Sequence, residues 1–474
     1  MPHGSADGRC ALPGAAVPHE PVHAGWQRSF RSGCPDASGR LAAGSEVLHL
    51  VPHGGRLYAA NGYWMDPRNP LYGAPLGSGA WAQVLRLDSA EGAWQVDLDL
   101  PRHLRAEALH SATFTTDAQG RALPEPVSLL LVAAYAHDPA GGTSPGIHLF
   151  TRDDASGRWE QSVLLAGPTG HRGESNSVRA LRVYRDRVTG VDRLFVTLGI
   201  HGVRSGVYDP AARGRVRWDA TIESPVLPVR PLALAEAGGM LHLSSGSQIL
   251  RRVDGPTPRW LPWFDMATLS AAPVRSPSGG IRGLSAVPAT HGPGDALLFA
   301  WTPGPDSPAC VFRIDHAGGG AAIAAQAVQE VCLRDLAQEH LGGRPVRSVL
   351  AAYNDFHPVT DPATGRRVHL TGLEAWLPDH GVALAPEQRR NGHGFYGGAM
   401  IAVREAAGRY RIVEVNGRIT PGAPPLVAAR SFARSPFATD QGHTLFVGGY
   451  DCNFFRCSDT GWVFRGDLRQ LLGR

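Results

Sequence analysis

The sequence predicts an all-β chain folded as a seven-bladed β-propeller, with blade seven closed by an N-terminal strand. Three observations predict it. A unit of four short apolar strands recurs seven times; glycine and proline punctuate the apolar runs; and the strand missing from the last unit is present near the N-terminus. Of 474 residues, 58 are glycine and 38 proline. That share is too low for a low-complexity chain and fits many strands joined by turns. A length that would ordinarily suggest about three domains is within the range of one all-β ring.

Each unit opens on a charged residue, any residue and an apolar residue. The openings are Glu46-Val-Leu48, Glu107-Ala-Leu109, Arg179-Ala-Leu181, Arg230-Pro-Leu232, Arg282-Gly-Leu284, Arg347-Ser-Val349 and Arg430-Ser-Phe432. An apolar second strand follows, such as Leu129 to Tyr135 or Leu297 to Trp301, and then a third strand. In several units a strand bearing tryptophan ends the pattern, at Trp94, Trp159, Trp218 and Trp260. These recurring indoles read as packing between blades. The blades start near residues 45, 105, 176, 228, 280, 345 and 427.

Blade seven runs out after three strands. The missing one reads as residues 25–31, where Gly25-Trp26-Gln27 resembles Gly92-Ala-Trp94-Gln95 of blade one. Such a strand would pair with the open edge of blade seven and cover it. Residues 25–468 are therefore expected to form one propeller. Residues 1–24, rich in proline, glycine and histidine without periodicity, are expected to form a tail. Over most of its length the chain resembles β-propeller proteins at the level of fold, and these units point to no single family among them.

A propeller gathers two sets of residues around one mouth of its channel: the heads of the inner strands and the ends of the second strands. The first set is Glu46, Glu107, Arg179, Arg230, Arg282, Arg347 and Arg430, with Arg105 able to take the place of Glu107. The second is Asn61, Tyr63, Tyr135, His137, His201, Ser245, Trp301, Glu374, Tyr450 and Asp451. Converging guanidinium groups suit a carboxylate, sulfate or phosphate. Histidine, tyrosine and carboxyl groups beside them suit acid–base chemistry. The expectation is an enzyme of the lyase or hydrolase type acting on an acidic small molecule or saccharide. His201, Tyr450 and Asp451 are the catalytic candidates, and the arginines, Glu46, Glu107, Asn61, Trp301 and Glu374 the ligand-binding set. One alternative is a non-catalytic propeller binding a ligand or protein partner through the same face, its arginines and glutamates alternating as ion pairs. Another is a calcium-dependent hydrolase. Asn176, Asn354, Asp355, Asp451 and Asn453, with Glu46 and Glu107, are oxygen ligands of the kind calcium takes; fold-level analogy with propeller lactonases, which hold a central calcium with similar residue types, raises this reading, and the arginine-rich ring argues against a bare cation there.

Composition narrows the field. All 46 basic residues are arginine, against 42 acidic residues. Schiff-base, pyridoxal-phosphate and P-loop lysine chemistry is thereby excluded. A formal charge of +4 with interspersed signs and no basic run argues against a nucleic-acid partner. No apolar stretch approaches the ~20 residues that span a bilayer, and a monomer is expected. The opening Met1-Pro2-His3-Gly4 lacks the features of a signal peptide, which points to the cytoplasm, or to secretion or the periplasm if a leader has been removed.

Three short motifs carry less. His19-Glu20-Pro21-Val22-His23 matches H-E-x-x-H, but Pro21 rules out the helix that motif needs, so a coil is expected. Gly142-Thr-Ser144-Pro-Gly146 matches G-x-S-x-G, but Pro145 removes the N–H that an oxyanion hole would use. Of the six cysteines, Cys310 and Cys332 flank one hairpin-like unit, Cys452 and Cys457 share one loop, and Cys10 and Cys34 remain; disulfides and free thiols both fit, and the pairing is left open.

Overall fold

A computed structural model describes residues 20–23, 25–75, 77, 80–138, 145–167, 170, 173–224, 226–275, 279–319, 327–378, 394–415, 426–440, 442–451 and 458–473. Seven antiparallel sheets follow one another along the chain; five have four strands in sequence order from the inside outward, the sixth has a divided inner strand, and the seventh takes its outer strands from the N-terminus. The inner strands are Glu46–His53, Ala108–Thr116, Leu181–Arg185, Pro231–Ala237, Gly280–Pro288, Ser348–Ala351 and Ala428–Arg434. Each lies against the inner part of the next blade, and Ala428–Arg434 lies against Glu46–His53, so the ring is closed.

Closure depends on the N-terminal strand. Blade seven contributes Ala428–Arg434, Thr444–Tyr450 and Gly461–Asp467, and Trp26–Arg31 supplies its fourth strand by pairing with Gly461–Asp467, Trp26 opposite Gly466. Gly466 has no alternative, because a Cβ there would meet the Trp26 ring at 2.5 Å. The segment that matched H-E-x-x-H is not coil: Glu20–His23 adds a further strand outside Trp26–Arg31. Those four residues are extended, not helical.

The hydrophobic core is not central. Among the described residues, seven of its nine apolar clusters lie one in each gap between neighbouring blades. Leu109, Leu130 and Phe150 with Tyr58 and Val84 fill the gap between blades one and two. Trp26 joins Leu370, Ile401 and Phe464 between blades six and seven. Leu298, Val311, Leu373 and Met400 meet between blades five and six, capped by the helix Leu333–His340. A fully buried leucine or phenylalanine contributes about 1.5–3 kcal/mol. Most of that gain is taken between the sheets.

The gaps also hold a repeated polar clamp. Arg152 and Trp159, partners across two outer strands of blade two, both donate to Asp97 of blade one, at 2.8 Å each. Arg252 and Trp260 of blade four do the same to Glu223 of blade three, at 2.7 and 3.0 Å. Arg404 and Tyr410 of blade six do so to Glu330 of blade five, at 2.8 and 2.6 Å. Trp94 donates to Ser29 on the N-terminal strand at 3.0 Å. The packing role expected for Trp94, Trp159 and Trp260 thus includes a hydrogen bond to the neighbouring blade.

Cys310 and Cys332 are register partners on adjacent strands of blade five and form a disulfide, and Cys34 is disulfide-bonded as well. Cys10, the Cys452–Cys457 loop with Asn453, His393 and the Ser144 motif lie outside the described residues. Among the described residues, no helix is long and apolar enough to cross a membrane.

Candidate functional site

Blade six departs from the regular plan where the site forms. Its inner strand stops at Ala351 and resumes as His357–Thr360, both pieces pairing with Arg367–Trp376. The five residues between them, Ala352 to Phe356, leave the sheet. Ala352 turns with φ +50° while its N–H donates to Thr371 Oγ1 at 3.1 Å. Ser285 of blade five holds the far end, accepting from the Phe356 N–H at 2.8 Å. Gly283, at φ +64° in the bulge after Arg282, makes room: a Cβ there would meet the Ala352 Cβ at 2.6 Å.

This excursion places Tyr353 between the guanidinium groups of Arg282 and Arg430, which lie 5.4 and 5.0 Å from its ring centre. The Tyr353 carbonyl accepts from Arg179 Nη2 at 3.0 Å. Its hydroxyl is 2.6 Å from that of Tyr450 and 3.3 Å from Glu374 Oε2, and Tyr450 also donates to Glu374 Oε2. Glu374 sits near the end of the second strand of blade six and Tyr450 at the end of that of blade seven, so two adjacent strand ends deliver the pair. Burial pushes the Glu374 carboxyl up to about 7, against the opposing pull of the two tyrosine hydrogen bonds and of Arg430 and Arg282. Both tyrosines are pushed well above their usual range, by burial first and then by Glu374.

A second arc, from blade seven to blade two, is paired. Arg430 donates to Glu46, Arg105 lies 3.8 Å from Glu46 and 3.1 Å from Glu107, and Glu107 also accepts from Ser177 Oγ at 2.8 Å and the Val178 N–H at 2.6 Å. Arg105 stacks on Trp64 at 4.9 Å. Glu46 and Glu107 therefore serve as partners of arginines. Arg105 stands between them and does not replace Glu107. Arg179, Arg230 and Arg282 are buried on the remaining arc. Burial, and then the neighbouring Arg230, Arg430, Arg282 and Arg105, depress the Arg179 pKa well below its usual value.

Several sequence expectations are corrected. Arg347 is not in the ring. It is half exposed, pairs with Asp306 at 3.2 Å and stacks on Trp376, because the inner strand of blade six begins one residue after it and Tyr353 takes the inward place. Asn61 is a strut: its amide donates to the Ala43 carbonyl and, at 3.3 Å, to Gln83. Trp301 packs in the apolar cluster of blades four and five. His201 bonds to Asn176 at 2.9 Å on blade three. Asp451, next along the strand from Tyr450, lines a separate recess with Arg28, Arg31 and Trp462. Burial pushes its carboxyl to about 7, with Arg31 opposing. His357 is half-buried and its ring stacks on Phe432 of blade seven at 6.0 Å. The Asn354 amide donates to the carbonyls of Leu48 and Arg430, at 2.9 and 3.3 Å. Among the described residues, no three His, Cys, Asp or Glu side chains are grouped to hold a metal.

Tyr353 is the residue that sequence reading missed. Its signal was faint: the polar pair Asn354-Asp355 interrupts the apolar alternation of an inner strand.

No known family's sequence pattern matches the chain, and no curated protein does. Solved structures resemble it at low identity. An α-L-arabinofuranosidase from Fusarium graminearum is 11% identical, with 94% of this chain and 99% of that one covered and a TM-score of 0.41. A protein of unknown function from Dyadobacter fermentans is 9% identical over 94% and 98%, with a TM-score of 0.42. A putative exo-β-1,3-galactanase from Bifidobacterium bifidum is 12% identical over 64% and 96%, with a TM-score of 0.29. The seven-bladed architecture rests on the strand pairing described above.

Proposed function

We propose that this protein is an enzyme that hydrolyses a small acidic molecule, with a carboxylate-bearing saccharide as the leading substrate class, at the mouth between blades five, six and seven. The observation that carries the reading is the Tyr353–Tyr450–Glu374 hydrogen-bond cluster held between Arg282 and Arg430. A carboxyl near 7 can give or take a proton at neutral pH. Above that value Glu374 is a carboxylate and accepts the Tyr450 proton; below it, Glu374 is itself a donor. Arg282 and Arg430 supply fixed positive charge where a substrate carboxylate would sit. Glu374, Tyr353 and Arg430 each keep a few per cent of their surface accessible, which favours a small ligand group reaching them.

One observation favours elimination as a second reading. The cluster holds a single carboxyl, whereas ordinary glycoside hydrolysis uses two. A tyrosine–glutamate couple beside arginines also suits removal of a proton next to a carboxylate. One assay separates the two readings. Aryl and oligomeric uronates are incubated with the enzyme, and both reducing ends and the ultraviolet absorbance of an unsaturated uronate are followed. Reducing ends without absorbance, lost in Glu374→Gln and Tyr450→Phe, support hydrolysis. Absorbance supports elimination. No turnover of any acidic substrate, together with equal uronate-induced thermal shifts in wild type and Arg282→Ala, would sink both.

A further inference from the structure

Blade four carries a cleft that the Tyr–Glu cluster does not use. Its volume is about 510 Å³, and small-molecule sites fall at roughly 300–1,000 Å³. One wall is the turn 245–248 between the second and third strands of the blade. The others are residues 228–229, ahead of its inner strand, and residues 267 and 270–274, on the connection into blade five. Ser245 ends a second strand, as Tyr450 does, and Glu374 is two residues from the end of another. The cleft therefore opens on the face where the cluster lies.

Backbone contacts tie the cleft to the cluster. The Gly246 carbonyl in the turn accepts from the Ile281 N–H at 2.8 Å. The next residue, Arg282, donates to the Ala351 carbonyl at 3.1 Å and lies 5.4 Å from the Tyr353 ring. Gly280 admits this close approach: a Cβ there, at φ +115°, would meet the Gly246 carbonyl at 2.5 Å. Asp265 joins two of the walls, accepting from Gln248 Nε2 at 3.1 Å and from the Ala267 N–H at 2.9 Å. The walls are thus fixed against one another before a ligand arrives, which lowers the cost of binding.

The lining is uncharged. Among the described residues it consists of serine, glutamine, alanine, proline, glycine and valine. Val229, Pro273 and Val274 offer C–H surface. Ser270 Oγ accepts from the Ala272 N–H at 3.3 Å and keeps its own proton to donate; Gln248 donates to Asp265 and keeps its side-chain carbonyl to accept. A sugar ring has the matching form, C–H faces with a rim of hydroxyl groups. A carboxylate meets no cationic side chain in this lining, in contrast to Arg282 and Arg430 at the cluster.

We infer that this cleft binds neutral sugar units attached to the acidic one, so that the substrate is a mixed oligosaccharide rather than a free acid or a chain of uronates. The inference rests on the reading of the Tyr–Glu cluster as a site for an acidic sugar.

The test measures binding of the full chain to an oligosaccharide array. The array holds single uronates, uronate oligomers, uronates carrying neutral pentoses or hexoses, and neutral oligomers. Wild type is expected to bind the mixed class about tenfold more tightly than the single uronates. Ala271→Trp fills the cleft from an exposed position, and it should remove that gain while single uronates bind as before. Ala211→Trp, exposed in the turn between the third and fourth strands of blade three and away from the mouth face, should change neither. Preference for single uronates or uronate oligomers, a gain that survives in Ala271→Trp, or binding to no class would overturn the inference. A different result would overturn the acidic reading of the cluster and support the cleft as a neutral-sugar site: no acidic member bound, with neutral oligomers held by wild type and by Arg282→Ala but not by Ala271→Trp.

Discussion

Arg252 and Arg179 are both buried arginines on the same ring, and they live in opposite surroundings. Arg252, 1% exposed between blades three and four, donates to Glu223 and Asp186 at 2.7 Å and to Asp254 as well. Three carboxylates raise its pKa despite burial. Arg179, 9% exposed, donates to one peptide carbonyl, and burial first and then neighbouring arginines lower its pKa. The carboxylates differ in the same sense. Glu330, clamped by Arg404, Tyr410 and Arg313, is held below its ordinary value although burial opposes this, whereas burial carries Glu374 above it. The lesson is that arginine count says little about function. Where the gap between blades closes on matched charges, arginine is a fastener; Arg179 meets a peptide carbonyl instead.

The largest effect expected from this contrast is on stability. Arg252→Met should destabilise the fold by about 3–5 kcal/mol, because it strands Glu223, Asp186 and Asp254 as buried carboxylates. Urea unfolding measures it, and a loss below about 1 kcal/mol would erase the distinction between clamp and channel. Next comes the pH response of Glu374. Its folded pKa of about 7 lies above its ordinary 4.5, so the folded state holds a proton that the unfolded state has lost. Stability from this group is intact below pH 4.5 and declines as pH rises to about 7, by on the order of 3 kcal/mol. Glu374→Gln should remove that slope from the stability–pH curve, and a curve unchanged by the substitution would break the contrast with Glu330. The smallest effect belongs to Arg179→Met. Its stability should stay within about 1 kcal/mol of wild type, since relief of repulsion offsets one lost hydrogen bond. A loss matching that of Arg252→Met would show that Arg179 is a fastener too.

Much of the ring was legible. The charged–any–apolar openings marked the inner strands, and Trp26 marked the closing strand, because a sheet buried on both faces needs apolar residues at regular places and a blade needs its fourth strand. The heads Arg179, Arg230, Arg282 and Arg430 are all buried in the structure. Reading failed at positions where the backbone leaves its period. Arg347 fits the opening motif by spelling, but the inner strand of blade six starts after it and then breaks, so Tyr353 enters instead. Asn61 and Trp301 end second strands, as Tyr450 does, yet a local strut and an apolar gap claim them.

By itself the sequence determined the blade count, the closing strand and the concentration of arginine at strand heads, because these follow from local patterns of apolar and charged residues. Only the tertiary structure decided which arginines meet carboxylates, and that Tyr353, Tyr450 and Glu374 share hydrogen bonds. Those outcomes depend on distances across the ring between residues up to about a hundred or more positions apart. Burial, which lifts one carboxyl while matched arginines lower another, exists only once the seven sheets have closed.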